Sequence, residues 1–488
     1  MGIGLIFTVI ILFFVLLLCV SYFTSRKAKN ETFFTGNRRS PWYLVAFGMV
    51  GSTISGVTFI SVPGEVGNSA WTYFQFLLGN FVGYWVIALV LIPLYYRLNL
   101  VSIYTYLEKR FGFCSYKTGS FFFIISQTIG ASFRLFLAAG VLQFTFFDSI
   151  GIPYWVTVLL TLLLIWIYTH KAGIKTVVWT DSLQTIFIIG AVIVTIYAIL
   201  KQLNMSFVDM ITVIDNHPYS KIFDWNWQSK TNFFKQFLAG LGIVIAINGL
   251  DQSMMQKNLT CKTKKESQKN MFWFSFAFLL ANLFFLSLGV MLYYFSQQKG
   301  ISLPGRSDDL YPMLAVRYFG ITAGIFFLLG ILSAAYSSAD SALTALTTSF
   351  CIDILNVKPD SSKGKQTRKK VHVGFTILLF LVIIIFRAIN NDSVVVAVFR
   401  AAGYTYGPLL GLFAFGLLTK KKVKDRFVPY VCLLSPAFTY ILSSHSKVWF
   451  GGYEFGFELL LLNAGITFMG LLLLRQKTEN GIEKISGS

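Results

Sequence analysis

Long apolar runs, separated by short polar or basic segments, dominate the pattern of hydrophobic and polar positions along this chain of 488 residues. Because a helix rises 1.5 Å per residue, about 20 apolar residues cross the hydrocarbon core of a bilayer. The pattern predicts an all-α integral membrane protein with about thirteen transmembrane spans, at 3–24, 41–63, 72–96, 118–147, 154–169, 176–200, 234–252, 270–295, 312–350, 372–386, 394–418, 427–443 and 454–474. Since 312–350 is too long for one crossing, we expect an additional outer lead-in within it.

The composition agrees with a membrane protein. Hydrophobic residues make up 55% of the chain and charged residues 13%, whereas about a quarter of a typical soluble domain is charged. The formal net charge of +20 could suggest a nucleic-acid partner. However, the basic residues lie in short runs between apolar stretches rather than on one solvated domain. We therefore expect the lipid bilayer, and no nucleic acid, as a partner.

The basic runs also predict the orientation of the chain in the membrane. Lys and Arg collect in every second loop between the predicted spans, at 26–39, 97–117, 171–175, 257–269, 358–370 and 420–426, so that all these loops lie on the same side of the membrane. Since cytoplasmic loops carry an excess of basic residues, these segments are predicted to face the cytoplasm. The expected location is the cell (inner) membrane, with the amino terminus outside and the carboxyl terminus in the cytoplasm.

Two predicted spans carry clusters of small residues at mid-membrane. The second span has the segment GMVGSTISGVT at 48–58, and the seventh has Gly240, Gly242 and the pair Asn248-Gly249. Such clusters mark the broken helices that form transporter binding sites, since Ser and Thr satisfy backbone groups freed by unwinding. Close helix packing through small residues is the alternative interpretation. Both interpretations stay open for both spans.

The ninth span carries a stripe of hydroxyl groups. Ala334, Ser337, Ser338 and Ser341 follow the spacing i, i+3, i+4, i+7 and therefore share one helix face, and Asp340 borders that face. Hard cations bind oxygen ligands, so the stripe could hold a cation opposite an unwound segment. The alternative is a seam of hydrogen bonds between helices.

Two charged residues are predicted to lie inside the membrane. Asp181 falls about five residues into the sixth span, and Arg134 lies near the middle of the fourth. Charges at these depths are costly without a partner. Asp181 could cap or line a helix end, or bind a cation. Arg134 could pair with a structural carboxylate or with an anionic group of a solute.

Five segments resemble the sodium:solute symporter family. They are ETFFTGNRRSPW at 31–42, YTYLEKRFG at 104–112, KAGIKTVVWTDSLQ at 171–184, residues 334–355 and YTYGPLLG at 404–411. The resemblance implies a LeuT-like core of two inverted five-helix repeats, at 41–201 (spans 2–6) and 234–418 (spans 7–11). Residues 1–30 and 427–474 would then form peripheral helices, and 475–488 a polar cytoplasmic tail.

The resemblance also implies site residues. The family's sodium site matches the backbone carbonyls of Gly51 and Ile54 together with Ala334, Ser337 and Ser338. Some members bind a second Na⁺, and the matching positions here are Asp181, Ser337, Asp340 and Ser341, of which Asp340 departs from the serine found in those members. Solute contacts would come from Thr53, Ser55, Thr58, Tyr73, Leu77 and Arg134. An arginine at the position of Arg134 holds the substrate carboxylate in the family's sialic-acid transporters, whereas Leu77 departs from their polar amide.

These observations predict a sodium-coupled symporter, not an enzyme, that imports a small organic solute by alternating access. The solute is expected to be anionic, such as sialic acid or another carboxylate, with Na⁺ as the coupling ion and no obligate protein partner. Symport of a neutral sugar or polyol, proton or exchange coupling through Asp181 or Asp340, and a sensory membrane module without transport are the alternatives.

Overall fold

A computed structural model describes residues 3–26, 30–143, 147–170, 173–357, 362–389 and 394–476 of the chain. The described residues form helices joined by turns and loops, and they form no strand beyond two isolated bridges, so the architecture is all-α. The predicted polar tail, 475–488, lies outside the described residues except for its first two positions, as do parts of the basic runs at 26–39, 171–175 and 358–370.

The first half of the described chain contains eleven α-helices. They are α1 (Ile3–Ser25), α2 (Asn30–Thr35), α3 (Trp42–Thr53), α4 (Gly56–Ser69), α5 (Tyr73–Val86), α6 (Ile92–Arg97), α7 (Thr105–Arg110), α8 (Phe113–Leu142), α9 (Tyr154–Thr169), α10 (Ile174–Leu203) and α11 (Phe207–Asn216). A π-helical segment, Ile87–Leu91, joins α5 to α6 into one nearly continuous rod.

The second half of the described chain also contains eleven. They are α12 (Phe233–Val244), α13 (Gln252–Asn258), α14 (Lys264–Gln298), α15 (Leu310–Arg317), α16 (Gly320–Ser349), α17 (Ser362–Ile389), α18 (Val394–Thr405), α19 (Gly407–Leu418), α20 (Val428–Ser444), α21 (Ser446–Trp449) and α22 (Leu459–Leu473). Helix α15 supplies the separate lead-in expected within 312–350, whose outer location stays a prediction, and Gly320, with φ +83°, separates it from α16.

Eight of the described helical segments are long and apolar enough to cross a membrane, and the bent pair α12–α13 makes a ninth. Three shorter apolar helices, α9, α19 and α22, coincide with further predicted spans. The all-α membrane architecture is therefore confirmed, while the number of thirteen crossings stays a prediction. The boundaries of the two repeats and of the peripheral helices also stay predictions.

The first helix of each predicted repeat is interrupted. The break between α3 and α4 falls at Ile54 and Ser55, inside the segment of small residues singled out in the sequence. The break between α12 and α13 falls at Leu250 and Asp251, where the chain bends by 69°. At both interruptions the regular helical hydrogen bonding stops, which leaves backbone groups available to bind other partners in the interior of the molecule.

Close packing explains the other glycines of the seventh span. A Cβ on Gly240 would lie 2.1 Å from the carbonyl oxygen of Phe76, so α12 can approach α5 this closely only with glycine at that position. Gly242 meets the side chain of Leu461 in the same way. At these two glycines, packing is therefore the right interpretation, and the break lies further along the chain, after Gly249.

Candidate cation and solute site

The interruption between α3 and α4 changes the backbone hydrogen bonds at the predicted cation site. The amide of Ser55 would donate to the Gly51 carbonyl in a continuous helix, but it donates to the Thr53 carbonyl at 2.9 Å. Ile54 has ψ +81°, outside the helical range, and the helix resumes where Phe59 donates to the Ser55 carbonyl. The break thus relieves the Gly51 carbonyl of its usual helical donor.

The serine stripe of α16 lies against this break. The Ser338 hydroxyl donates to the carbonyl oxygen of Ser52 at 3.4 Å, which directly joins the stripe to the end of α3. Ala334 and Ser337 are fully buried beside Ser338. The two elements that the sequence predicts to enclose a cation are therefore adjacent, and oxygen atoms from both meet in the interior.

Helix α10 packs on the other side of the break. A Cβ on Gly51 would lie 2.2 Å from the hydroxyl oxygen of Thr185, and this hydroxyl donates to the Phe47 carbonyl at 3.0 Å. The Ser182 hydroxyl donates to the Leu44 carbonyl, also at 3.0 Å. These bonds hold the carboxyl half of α3 against α10 and bring Asp181 close to the serine stripe.

Asp181 forms the centre of a buried polar cluster. Its Oδ1 accepts a hydrogen bond of 2.5 Å from the Ser337 hydroxyl, and its Oδ2 lies 2.7 Å from the ammonium of Lys257. The side chains of Asp181 and Lys257 are 0% and 1% exposed. A carboxylate and an ammonium so far from water stabilise each other by charge pairing.

The position of Lys257 corrects the assignment made from the sequence. The apolar pattern predicts that the seventh span ends at 252, with Lys257 in a cytoplasmic loop, but α13 continues to Asn258 and is buried throughout. Gln256 next to it donates to the Phe34 carbonyl and to the Thr348 hydroxyl, which fixes α13 against the interior. No local signal distinguishes Lys257 from its neighbours in the basic run, because its partner lies on another helix.

Asp340, the residue that departs from the family pattern, also lies in this cluster. Its Oδ2 accepts from the Tyr168 hydroxyl at 2.9 Å, and its Oδ1 accepts from the Ser341 hydroxyl at 3.2 Å. The Ser341 hydroxyl shares its one proton with the Ser337 carbonyl, which is the nearer acceptor at 2.7 Å. The structure therefore brings together all four predicted second-site residues, and it adds Lys257 and Tyr168 to them.

A cavity of about 810 Å³ lies next to the cation region. Its volume is within the range of small-molecule sites, about 300–1,000 Å³. Five of the six predicted solute contacts line it, namely Thr53, Ser55, Thr58, Tyr73 and Arg134. The predicted contact from Leu77 is not part of this lining, since that side chain is buried in the helix packing, while Phe76 and Asn80 of the same helix line the cavity.

The break between α12 and α13 supplies a carboxylate to the cavity. Asp251 caps α13 and accepts from the backbone amide of Ser253 at 2.7 Å and from the Ser253 hydroxyl. The hydroxyl of Tyr406 donates to its other oxygen at 2.5 Å. Sequence reasoning missed Asp251, although its place directly after the Asn248-Gly249 pair, at a suspected break, was an available signal.

Arg134 lines the same cavity from α8, and its charge acts on Asp251. Among the described residues no carboxylate forms an ion pair with Arg134. The structural-carboxylate interpretation of Arg134 therefore finds no direct partner in the described part of the chain. Amide groups of Asn80 and Gln127 line the cavity as well, and the buried Oδ1 atom of Asn80 has no hydrogen-bond partner among the described residues.

The mouth of the cavity is bordered by charged residues outside the membrane-spanning helices. Glu454 forms ion pairs with Lys230 and with Lys447, and all three residues line the cavity. Hydrogen bonds from Lys230 and then from Lys447 hold the pKa of Glu454 down, at about 2. The cavity thus reaches the surface at the face that carries these loops, which is the face predicted to lie outside.

The opposite end of the molecule is closed by a second polar cluster. Asp353, at the end of α16, accepts from the hydroxyls of Ser102 at 2.8 Å and Tyr116 at 2.9 Å. The hydroxyl of Tyr104 donates to the Leu250 carbonyl at 2.8 Å. These bonds join the loop before α7, α8, the break at Leu250 and the π-helical segment Phe350–Ile354 that follows α16, and none of the bonded residues lines the cavity.

Comparison with known proteins gives relatives along most of the chain. Residues 33–425 match the model of the sodium:solute symporter family. The sodium/sialic acid symporter NanT of Aliivibrio fischeri is 26% identical over 417 residues, covering 82% of this chain and 80% of its own length. The sodium/sialic acid symporter SiaT of Proteus mirabilis is 24% identical, covering 83% of each chain. The human sodium/iodide cotransporter is 25% identical over 399 residues, which cover 79% of this chain and 61% of its own length.

Solved structures share the fold. A Na⁺-coupled sialic acid symporter in a substrate-bound outward-open state superimposes with a TM-score of 0.83, at 21% identity and over 97% of both chains. Mhp1, a nucleobase-cation-symport-1 family transporter in a closed conformation, superimposes with a TM-score of 0.55 at 12% identity. These neighbours confirm the LeuT-like fold, and the family match confirms a multi-pass transporter rather than an enzyme. With the interrupted helices, the serine stripe and the match over residues 33–425, the chain belongs to the sodium:solute symporter family.

Proposed function

We propose that this protein imports a small, hydroxyl-bearing organic anion together with Na⁺ by alternating access across the inner membrane. Its amino terminus would lie outside and its carboxyl terminus in the cytoplasm. The observation that carries the proposal is Arg134 in the central cavity, without an ion pair to any described carboxylate. An arginine inside a membrane requires an anionic or polar partner, and a solute carboxylate would accept two parallel hydrogen bonds from its guanidinium.

The polar groups around Arg134 support the hydroxyl-bearing class of solute. Asn80 contributes a buried amide oxygen that no described residue bonds, and Gln127 and Asn248 contribute further amides to the lining. Amide groups both donate and accept, which suits sugar hydroxyls. The two bacterial relatives named above are sodium/sialic acid symporters, and sialic acid has this combination of a carboxylate and several hydroxyls.

The cation would bind between the two elements that meet behind the cavity. The proposed ligands are the carbonyls of Gly51, Ile54 and Ala334 with the hydroxyls of Ser337 and Ser338. The 3.4 Å contact between Ser338 and the Ser52 carbonyl supports this placement. Although the Ser337 hydroxyl donates its proton to Asp181, its oxygen keeps lone pairs for a cation.

Sodium bound at this place would couple to solute binding through one continuous segment. Thr53, Ser55 and Thr58 line the solute cavity, while Gly51 and Ile54 on the same stretch would hold the ion. Fixing the break by Na⁺ would therefore preorganise the solute contacts, and the two affinities would rise together. A positive charge that moves inward across 100 mV releases about 2.3 kcal/mol, which would add to the sodium gradient as a driving force.

Uptake into proteoliposomes tests this function. Purified protein is reconstituted, and a panel of radiolabelled carboxylates and neutral sugars, starting with sialic acid, is offered with and without an inward sodium gradient. We expect uptake of a carboxylate that depends on sodium and increases with a negative interior potential. Uptake that follows a pH gradient and ignores sodium would contradict the proposal, as would sodium-driven uptake of neutral sugars alone.

Two variants assign the roles within the same assay. Ser338→Ala should reduce sodium-driven uptake severely, whereas Ser120→Ala, another buried hydroxyl that bonds only within its own helix, should retain it. Arg134→Lys keeps the positive charge but cannot make the bidentate hydrogen bond of a guanidinium. Solute affinity should therefore fall about 10- to 100-fold, a loss of roughly 1.5–3 kcal/mol in binding free energy. Exposed Arg317→Ala is the matched control. Equal affinity in Arg134→Lys and the unmodified protein would rule out a guanidinium–carboxylate contact.

A further inference from the structure

The buried cluster around Asp181 contains a charged residue, Lys257, besides the four positions that match the second sodium site. Members with a second Na⁺ bind it at positions that here match Asp181, Ser337, Asp340 and Ser341. In this chain the ammonium of Lys257 lies 2.7 Å from Asp181 Oδ2, and both side chains are almost completely buried. A permanently attached cation therefore lies directly against the Asp181 carboxylate of the group that would otherwise bind a mobile one.

The two carboxylates of the cluster already lie against hydroxyl groups and an ammonium of the protein itself. On Asp181, Oδ1 accepts from the Ser337 hydroxyl and Oδ2 faces the Lys257 ammonium. On Asp340, Oδ2 accepts from the Tyr168 hydroxyl and Oδ1 from the Ser341 hydroxyl. A sodium ion has no protons to donate and requires oxygen lone pairs, so it would share the remaining lone pairs with these donors and would compete directly with the Lys257 ammonium at Asp181 Oδ2.

Electrostatics also opposes a second cation at this place. Both Asp181 and Lys257 act on Asp340 through their charges, so the three groups form one electrostatic unit. An added Na⁺ would lie a few ångströms from the ammonium in an interior of low dielectric constant, where repulsion between like charges is strong. Removal of the Lys257 charge would leave two buried carboxylates without a compensating cation, and a Na⁺ at this place would then be attracted rather than repelled.

We infer that the Lys257 ammonium takes the place of a second coupling cation, so that this symporter binds a single Na⁺. The inference rests on the proposed sodium-coupled function and specifies its stoichiometry. Because Lys257 is attached to α13, its charge stays in the protein throughout the transport cycle and adds nothing to the charge carried with solute. The Lys257 ammonium joins α10, α13 and α16 as a bound Na⁺ would. Unlike a second Na⁺, it adds no energy from the sodium gradient to transport.

Binding of Na⁺ itself tests the inference, since this measurement needs no knowledge of the solute. Radioactive Na⁺ is titrated into purified full-length protein, and the number of ions per chain and the Hill coefficient are measured. The unmodified protein should bind one ion with a Hill coefficient near one. Lys257→Met, which has a similar length and no charge, should bind a second ion and raise the Hill coefficient above one, with Asp181 and Asp340 as the new anionic ligands.

Three further variants serve as controls in the same titration. Lys257→Arg retains a cation and should stay at one ion. Lys257→Met combined with Asp181→Asn removes the vacated carboxylate and should return to one ion. Lys235→Met alters another buried lysine that has no ion pair with a described carboxylate, and it should also stay at one ion. Size-exclusion chromatography and melting curves verify that each variant is folded.

The outcomes separate the inference from the proposed function. If the unmodified protein binds two ions, or if folded Lys257→Met stays at one, the inference is overturned while sodium coupling stands. If the unmodified protein binds no Na⁺, the proposed function itself fails. If Lys257→Met does not fold, Lys257→Gln, which keeps a hydrogen-bond donor to Asp181, takes its place in the titration with the same expected gain of one ion.

Discussion

At the scale of single residues, a few small side chains decide how closely the central helices approach. Gly51 lies where α3 meets α10, and a Cβ there would lie 2.2 Å from the Thr185 hydroxyl oxygen and 3.1 Å from the Thr185 Cα. The same approach lets Thr185 donate to the Phe47 carbonyl. Glycine at this position is thus required by the packing that brings the break of α3 to the serine stripe.

Substitution of Gly51 by alanine tests this requirement. The added methyl group must push α3 away from α10, and overpacking of this kind costs about 1–3 kcal/mol. We expect Gly51→Ala to lower the melting temperature of the purified protein and to weaken Na⁺ binding. Gly140→Ala is the control, because a Cβ at Gly140 meets no atom within 4 Å and alanine favours a helix by up to about 1 kcal/mol. Equal melting temperatures for the two variants would contradict the packing argument.

At the scale of helices, one interruption is repaired by a side chain from a distant element. Pro408 in α19 has no backbone N–H, so the carbonyl of Tyr404, four residues earlier, lacks its helical donor. The amide of Asn463 in α22 donates to this carbonyl at 2.9 Å and to the Gly403 carbonyl at 3.0 Å. A helix predicted to be peripheral therefore completes the hydrogen bonding of the α18–α19 junction.

The variant Asn463→Leu should show this role. It leaves the buried Gly403 carbonyl and the half-buried Tyr404 carbonyl without their side-chain donor, at a cost of about 1–3 kcal/mol, and the melting temperature should fall accordingly. Thr439→Val is a suitable comparison, because the Thr439 hydroxyl is equally buried but bonds within its own helix, to the Ser435 carbonyl. If both variants melted at the same temperature, the proposed repair of the junction would be wrong.

The loops at the cavity mouth give a prediction about pH. Glu454 bridges Lys230 and Lys447, which hold its pKa at about 2, below the ordinary value of 4.5. Since the pKa is lower in the folded protein, the stabilisation is complete above pH 4.5 and is lost as the pH falls towards 2. Protection of 445–458 from hydrogen exchange, corrected for intrinsic rates, should be constant between pH 5 and 8.

Glu454→Gln should increase exchange in the same segment at neutral pH, because both ion pairs lose their negative partner. High salt should have a smaller effect in the same direction, since exposed charges are screened. The exposed carboxylate of Asp215 in α11 provides a control through Asp215→Asn. Protection that declined steadily from pH 8 to 5 would show that another group holds these loops.

At the scale of the whole molecule, the cavity and the two polar clusters define one conformation. The cavity reaches the surface between the loops of Lys230 and Glu454, while the cluster around Asp353 closes the opposite end. The predicted orientation makes the open face the outer one. Transport by alternating access would require a second conformation, open at the opposite end and closed at this one.

Cysteine labelling tests this arrangement in intact cells. Thr58→Cys, in the cavity, should react with a membrane-impermeant maleimide added outside, in a background without the exposed native Cys19. Thr344→Cys, fully buried and outside the cavity lining, should stay unlabelled. Labelling of Thr58→Cys only in inverted vesicles would reverse the predicted orientation or the accessible side.

Sequence by itself determined the features that depend on local pattern. The length of the apolar runs predicted a membrane-embedded helical chain, and the small residues at 48–58 indicated either a break or close packing, of which the break occurs, at Ile54 and Ser55. The i, i+3, i+4, i+7 spacing placed Ser337 and Ser338 on one face of α16, where they are buried. Helical periodicity is a property of consecutive residues, so these features could be predicted without knowledge of neighbouring helices.

Only the tertiary structure decided which side chains meet across helices. Lys257 resembles the other lysines of its basic run, and its burial depends on a carboxylate in α10. Asn80 rather than Leu77 reaches the cavity because the close packing at Gly240 fixes the rotation of α5. Pairing between distant segments depends on how helices are rotated and spaced against each other, and no local pattern in the chain specifies that geometry.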